Sequence, residues 1–373
     1  MSTLNVNTIN AATSGQAVAV DVKNPRSLRN LIINGAMNVA QRGTSSGASG
    51  YQTVDRWNVS CGGENETPTQ AQHALTSSDT GPWEEGFRNS LHITNGNQTS
   101  TDGSDNCELV YTIEAQDIAS SGWDYTSASS YITLSFWIKS SVAQNFYGYL
   151  YTRDGTNKTH AYETGSLTAD TWTKVTKSFP GHADISFVQD NGQGLTVDIL
   201  PFYGTNLTDN SVSLTAWQNK SSSHTPDNAT TWWTTNNATI EITGVQLEVG
   251  SYATDFEHRS YAEELARCQR YYQNSYAAGN VPGSSNSNAN AINLLSWADG
   301  NVLGFTFMGR MRAAPTVTLR SPNATTVARL DSSGTDRVAA AQDINEHHVK
   351  YISVTSGANT SWASVCYELA AEL

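Results

Sequence analysis

Charged residues and long apolar runs are scarce in this sequence of 373 residues. Only 15% of the residues are charged, and 34 acidic against 21 basic side chains give a formal net charge of −13. Because that charge repels phosphate backbones and anionic membrane surfaces, we expect no nucleic-acid partner. No stretch reaches the roughly 18 apolar residues that a membrane span needs, and no secretory signal opens the sequence. The sequence therefore predicts no membrane insertion.

The cysteines and histidines predict no metal centre. Cys61, Cys107, Cys268 and Cys366 lie far apart and form no C-x-x-C pair, which favours free buried thiols over zinc ligands or disulfides. The adjacent histidines at 347–348 would point to opposite faces of a strand and could not converge on one ion. No metal is therefore expected from these residue types.

Catalytic signatures are also missing. The sequence contains no G-x-S-x-G elbow, H-E-x-x-H motif, P-loop or G-x-G-x-x-G in a strand-to-helix context. Asp102 and Asp105 bring oxygen ligands close together, but no later glutamate completes an EF-hand loop, so we expect a solvated turn and leave a structural calcium ion open. Glycosidases need only two carboxylates close in space, so an enzymatic alternative also stays open. We expect a non-enzyme without a cofactor.

Abundant Ser, Thr, Asn and Gly are typical of a mainly β protein with turn-rich connections. Between residues 51 and 256, short alternating segments separated by turn residues predict a jelly-roll β-sandwich. The clearest strand is 131–138, in which every second residue is a large apolar one. The other predicted strands are 146–151, 172–179, 195–200, 240–249, 303–307, 316–319, 349–354 and 362–369.

One segment breaks the β pattern and predicts an amphipathic helix that connects two β units. Ser260 and Glu263 form a capping box at its start. Its apolar stripe consists of Tyr261, Leu265, Cys268 and Tyr272. We expect Leu265 to be buried against a sandwich. The predicted parts are an N-terminal arm (1–50), the jelly-roll sandwich (51–256), the connecting helix (257–275) and a smaller C-terminal β-sandwich domain (276–373).

The first fifty residues contain short apolar pieces that are each too small for a core. Copies of the chain could bury these pieces together around a symmetry axis, so we expect a homotrimer joined through the arm and the helix. The candidate interface residues are Leu4, Val6, Ile9, Leu31, Ile33, Leu265 and Tyr272.

Ten tryptophans and sixteen tyrosines suggest a binding role. Flat rings stack on the apolar faces of sugars, while nearby polar groups bond the sugar hydroxyls. Trp57, Trp137 and Trp172 lie in or beside predicted strands and are expected to pack in the core. The candidate ligand contacts are the three tryptophans in polar loop surroundings, Trp217, Trp232 and Trp233.

Two ends of the predicted sandwich resemble a recurrent pattern of phage tail-fibre proteins. The first is Asn30-Leu-Ile-Ile-Asn-Gly-Ala-Met-Asn-Val-Ala-Gln-Arg-Gly43, followed by Thr53-Val-Asp-Arg-Trp57. The second is Ile242-Thr-Gly-Val-Gln-Leu-Glu-Val-Gly250, followed by residues 256–272. Segments 134–139 and 172–179 between them resemble carbohydrate-binding-module jelly rolls.

This resemblance implies a structural or receptor-binding component of the tail of a phage virion, synthesised in the host cytoplasm and commonly trimeric. Its N-terminal arm would bind other tail proteins, and its β domains would attach the particle to a host-surface polysaccharide. We place recognition mainly in loops after residue 276, such as 279–290. A tail-borne depolymerase and a passive connector without ligand are the alternatives. The repeats of a β-helical depolymerase are not found in the sequence.

Overall fold

The computed structural model describes residues 29–283, 290–298, 300–322, 327, 329–332, 335–354 and 362–373, with backbone only at 296–298. Three predicted interface residues, Leu4, Val6 and Ile9, and residues 284–289 of the 279–290 loop lie outside the described residues. Within them, no helix is long and apolar enough to cross a membrane.

The described residues form twenty strands and three short helices. The helices are α1 Ala115–Ala119, α2 Thr231–Thr234 and α3 Tyr261–Cys268. The strands are β1 Ser45–Ser46, β2 Trp57–Gly62, β3 Thr69–Ala74, β4 Asn89–Thr94, β5 Asn106–Glu114, β6 Tyr131–Ser140, β7 Asn145–Thr152, β8 Lys158–Ser166, β9 Thr173–Pro180, β10 Gln193–Tyr203, β11 Gln218–Asn219, β12 Thr239–Val249, β13 Tyr272–Asn274, β14 Ile292–Ala298, β15 Asn301–Thr306, β16 Thr316–Arg320, β17 Arg329–Ser332, β18 Thr335–Ile344, β19 His348–Val354 and β20 Trp362–Ala370.

Two six-stranded antiparallel sheets form the central sandwich. The first sheet has the order β1-β3-β4-β12-β6-β9, and the second has the order β11-β8-β7-β10-β5-β2. The alternation predicted for β6 is confirmed, because Ile132, Leu134, Phe136 and Ile138 all point into the core and are fully buried. The predicted mainly β, jelly-roll architecture is therefore confirmed.

The described part of the predicted arm packs on the sandwich. The backbone N–H of Leu31 donates to the carbonyl of Leu247 at 2.9 Å, and Ile32 is fully buried. Leu31 and Ile33 lie partly buried against the same core. The prediction that these two side chains lack a core within the chain is therefore wrong. The apolar piece at residues 31–33 packs beside β12, which lies more than half the chain away.

One disulfide joins two neighbouring strands of the second sheet. Cys61 of β2 lies directly opposite Cys107 of β5, and the two are bonded. The prediction of free thiols is wrong for this pair, because strand pairing brings together cysteines that are 46 residues apart. Cys268 and Cys366 are free and buried, as predicted.

Helix α3 begins at its predicted cap but buries a partly different set of residues. The backbone N–H of Glu263 donates to Ser260 Oγ at 3.3 Å. Glu264 and Cys268 are buried, whereas Tyr261 is 57% exposed. The predicted stripe is therefore wrong at Tyr261 and confirmed at Cys268, and Glu264 is buried in place of Tyr261. The carboxylate of Glu264 can be buried because it accepts a hydrogen bond from the backbone N–H of Asn34.

Two predicted interface residues also take different positions. Tyr272 lies beyond α3 in β13, where it is 2% exposed and its hydroxyl donates to Glu368 at 2.9 Å. A trimer contact through Tyr272 is therefore wrong, since the chain itself encloses the ring. Leu265 is partly exposed and lines a cavity of about 260 Å³ beside Met308. The expected full burial of Leu265 is also wrong, because α3 turns Glu264 inward instead.

We expect Leu265→Ala to lower the free energy of unfolding by less than ~2 kcal/mol. Losses of about 2–5 kcal/mol are typical of leucines that are fully enclosed, whereas Leu265 is partly exposed. Leu247→Ala is the matched comparison, since Leu247 is 0% exposed in the sandwich core. Urea titration of both variants measures the difference. Equal losses would contradict the described position of α3.

The C-terminal unit is one eight-stranded antiparallel sheet with the order β13-β20-β14-β15-β19-β18-β17, and β16 pairs with β20. Strand β17 also meets β20 through the pair Asp331 and Ser364, so the sheet curves back on itself. It surrounds a separate core that includes the fully buried Ile352, Val365 and Leu369. Because β13 belongs to this sheet, the unit begins a few residues before the predicted boundary at 276.

Candidate functional site

All three predicted ligand tryptophans lie in the core. Trp232 and Trp233 are 0% exposed, and Trp233 stacks on Phe202 with ring centroids 5.0 Å apart. Trp217 is 7% exposed, and its indole N–H donates to the carbonyl of Pro180 at 2.6 Å. The prediction that these rings remain available in polar loops is wrong. The single turn of α2 directs Trp232 and Trp233 into the core. A helix this short leaves little periodicity in the sequence.

A row of tyrosines instead lines the outer face of the second sheet. Tyr147, Tyr149 and Tyr151 occupy alternate positions of β7 and therefore share the face opposite the core residue Leu150. Tyr203 of β10 joins this row, and its hydroxyl lies 3.1 Å from that of Tyr149. The sheet thus presents four aromatic rings on one surface.

Two carboxyl groups lie among these rings. Asp198 of β10 is paired with Tyr149 of β7, and the Tyr203 hydroxyl donates to Glu108 of β5. Burial, reinforced by the nearby Glu108 charge, raises the pKa of Asp198 to about 8. Burial also raises the pKa of Glu108. The six residues Glu108, Tyr147, Tyr149, Tyr151, Asp198 and Tyr203 are called the tyrosine face below.

The segment 204–228 covers most of this face. The His224 ring stacks on Tyr149 at a centroid distance of 4.9 Å, and burial lowers the pKa of His224 to about 4. Asp227 links the two ends of this segment, because its carboxylate accepts a hydrogen bond from Thr208 Oγ1 at 2.7 Å. Tyr149 and its neighbours 151 and 203 are therefore buried, whereas Tyr147 remains partly exposed. The accessible end of the tyrosine face lies at Tyr147.

Further polar groups surround that accessible end. Glu163 of β8 is paired with Tyr147 and accepts a hydrogen bond from the Asn145 side chain at 2.9 Å. The exposed Arg153 lies over the Tyr151 ring with a centroid distance of 4.4 Å, at the opposite end of β7 from Tyr147. A partly exposed ring flanked by hydrogen-bonding groups suits a ligand that is apolar on one side and polar at its edges.

The sequence contained a signal for only part of the tyrosine face. The Tyr147-Gly-Tyr-Leu-Tyr151 alternation could have been recognised, because a period of two places the three rings on one face. Glu108 and Asp198 offered no comparable signal, since their meeting depends on the pairing of β5 with β10.

The buried carboxyl of Asp198 predicts a pH dependence of stability. Its pKa is about 8 in the fold against an ordinary 3.8, so the native state binds more protons and stability falls as pH rises through that interval. His224 has the opposite effect, but only between about 4 and its ordinary 6.5. From pH 6.5 to 8, only Asp198 of these two groups contributes.

We therefore expect the urea midpoint of the wild-type protein to fall between those two pH values and that of Asp198→Asn to fall much less. Asp209→Asn is the matched control. Asp209 lies on the covering segment, and the Ser211 backbone N–H lowers its pKa, so its titration lies below the interval. Parallel curves for wild type and Asp198→Asn would contradict the assignment of the raised pKa to Asp198.

One group of potential metal ligands lies on the outer face of the first sheet. His73, His92 and Glu241 place their ligand atoms within 4.8 Å of one another. The sequence predicted no metal ion. This group could not be recognised there, because its three residues come from three separate strands. In the Asp102–Asp105 loop, the Asp105 carboxylate accepts the backbone N–H of Asp102 at 2.7 Å, which closes a turn. A calcium ion there stays a prediction.

No family model matches this chain, and no curated protein matches it. Among solved structures, it is similar to the enzymatically active domain of tailspike protein 4 of bacteriophage CBA120, with 10% identity and a TM-score of 0.32. The match covers 60% of this chain and 22% of that chain, so it spans only a small part of the tailspike.

Two further similar structures come from bacteria. A putative sugar binding protein from Bacteroides thetaiotaomicron has 14% identity and a TM-score of 0.33, covering 59% of this chain and 100% of that chain. The N-terminal cellulose-binding domain of Cellulomonas fimi β-1,4-glucanase C has 9% identity and a TM-score of 0.28, covering 58% and 99%. At TM-scores this low, the similarity assigns no role to any residue of this chain.

Proposed function

We propose that this chain is a structural tail-fibre protein of a phage virion that attaches the particle to a host-surface glycan. The glycan would bind at the accessible end of the tyrosine face. The observation that carries the proposal is the partly exposed Tyr147 at the end of a row of tyrosines, with Glu163 beside it. The phage setting rests on the sequence resemblance at residues 30–57 and 242–272.

A sugar ring would stack on Tyr147 while its hydroxyl groups bond the side chains around it. Glu163 offers carboxylate acceptors, and the neighbouring Asn145 side chain offers an amide group. Such a shallow site binds weakly on its own. Linked copies on one particle raise the overall avidity by about 10²–10⁴ without any new contact. Weak single sites are therefore sufficient for adsorption.

Binding of the purified chain to immobilised host polysaccharide tests the site. We expect Tyr147→Ala to be retained much less than wild type, since its stacking surface is lost, while its thermal unfolding changes little. Tyr252→Ala is the matched control, because Tyr252 is 67% exposed and lies on a different surface. Equal retention of both variants would move recognition to the C-terminal unit, where loops such as 279–290 are the sequence-based candidates.

The proposed virion setting also includes a homotrimer and attachment to other tail proteins through the N-terminal residues. Exposed apolar side chains around α3 support a contact between copies, since large exposed apolar patches are typical of association surfaces. Tyr261 and Met308 are 57% and 58% exposed, and Leu265 lies between them in the lining of one cavity. Light scattering of the full chain tests this point, and a stable monomer would exclude the homotrimer.

A further inference from the structure

We propose that the outer face of the first sheet carries a binding site for a transition-metal dication, best suited to Zn²⁺, formed by His73, His92 and Glu241. This inference does not depend on the proposed glycan function. The three ligands lie on the first sheet of the sandwich, whereas the tyrosine face lies on the second.

Strand pairing brings the three ligands together. His92 of β4 lies directly opposite Glu241 of β12, and His73 reaches the same carboxylate from β3. His73 Nδ1 is 3.1 Å from Glu241 Oε2, and His92 Nδ1 is 3.4 Å from Glu241 Oε1. The two imidazole centroids are 5.1 Å apart. Three neighbouring strands therefore hold two nitrogen donors around one carboxylate.

These distances fit a zinc coordination shell. Bonds of about 2.0–2.1 Å in a tetrahedral zinc site separate neighbouring ligand atoms by about 3.3–3.4 Å. Each histidine nitrogen lies at a similar distance from one oxygen of the carboxylate, His73 from Oε2 at 3.1 Å and His92 from Oε1 at 3.4 Å, and one ligand atom from each of the three residues lies within 4.8 Å of the others. Rotation of His73, whose side chain is 51% exposed, can close the remaining gap. The same exposure leaves room for water as a fourth ligand.

The donor types favour a transition metal over calcium or magnesium. Imidazole nitrogen suits Zn²⁺, Ni²⁺ and Cu²⁺, whereas Ca²⁺ and Mg²⁺ take oxygen ligands. His92 Nε2 lies 3.0 Å from Thr94 Oγ1, and in the tautomer that carries its proton on Nε2 the Nδ1 lone pair faces Glu241 and can bind a cation.

The carboxylate already contacts a hydroxyl group and a cation. The Ser90 hydroxyl donates to Glu241 Oε2 at 2.7 Å. Lys139 Nζ lies 3.0 Å from Glu241 Oε1 and also 3.0 Å from Asp79 Oδ1. When a metal binds Glu241, the ammonium group keeps Asp79 as its partner. Lys139 therefore competes with the metal without preventing its binding.

Calorimetric titration of the untagged full chain with Zn²⁺ tests the site, and the absorption spectrum of added Co²⁺ reports its coordination. We expect one Zn²⁺ per chain and Co²⁺ bands typical of four or five ligands. His73→Ala should weaken Zn²⁺ binding more than about tenfold, since even groups around metal ligands are worth about 10–100-fold. His182→Ala is the matched control, because His182 lies 3.7 Å from Asp184 with no second histidine in the ion pair.

His73 is the preferred variant because its exposed side chain can be removed without opening the core. Glu241→Gln is a second test, in which thermal unfolding without metal shows whether the fold is kept. Loss of Zn²⁺ binding in both variants but not in His182→Ala supports the site. Wild-type protein that binds no Zn²⁺, or a His73→Ala protein that binds it as tightly as wild type, overturns the proposal.

Discussion

Trp233→Ala should lower the free energy of unfolding by about 3–5 kcal/mol, the usual loss for truncating a buried tryptophan. The ring is 0% exposed and lies on Phe202 with an interplanar angle of 16°. Truncation removes this stacking contact and opens a cavity between the two sheets, which the surrounding strands can fill only in part. Urea unfolding followed by circular dichroism measures the loss.

A matched control separates core packing from ligand contact. Trp362 is 43% exposed in β20, so Trp362→Ala should change stability by no more than about 0.5 kcal/mol. If Trp233 contacted a ligand from an exposed loop, Trp233→Ala would keep the stability of wild type and lose only binding. That result would contradict the burial of α2.

Arg56→Met should also destabilise the protein strongly, because Glu372 Oε2 and the Thr112 carbonyl each lose a buried donor at a cost of about 1–3 kcal/mol. Arg42, whose Nη2 lies 3.0 Å from Glu372 Oε1, remains as the second partner of the carboxylate. Arg56 is 1% exposed. Its Nη1 lies 2.6 Å from Glu372, and its Nη2 donates to the carbonyl of Thr112 at 2.6 Å. The guanidinium also stacks over Tyr271 at 3.5 Å. Arg56 therefore links the sandwich to the end of the C-terminal unit.

The same variant tests the connection between the two β units. We expect Arg56→Met to separate a single unfolding transition into two, because Glu372 loses the shorter of its two ion pairs across the junction and keeps only the one with Arg42. Arg310→Met is the matched control, since Arg310 is 64% exposed and its pair with Glu346 is worth little in water. If both variants unfold like wild type, the Arg56 pair does not hold the units together.

Local pattern predicted nine of the twenty strands in the described residues. In β6, large apolar side chains that face the core alternate with mostly polar ones, so the period of two appears directly in the sequence. The cap at Ser260 was predicted for a similar reason, because its hydrogen bond spans three residues. The burial of Glu264 in α3 could not be predicted this way. It depends on a backbone group of Asn34, which lies 230 residues earlier.

The candidate sites depend on pairings that no local pattern contains. His73 and Glu241 are separated by 168 residues, and Glu108 and Tyr203 by 95. The two residues of each pair become neighbours only when the strands of their sheet pair in the observed order. At Trp232 the polar residues nearby predicted an exposed loop. The structure instead has one helical turn there that packs inside the sandwich.

Incubation of the purified full-length chain with host polysaccharide, followed by both retention and product size, is the most direct test of glycan attachment. We expect wild type to be retained without shortening the polymer, and Tyr147→Ala to lose retention while remaining folded. Shortened polymer would contradict the binding role and favour the depolymerase alternative. In that case Glu108 and Asp198 would be the first carboxyl groups to replace. Polysaccharide that is neither retained nor cut would instead indicate a passive connector.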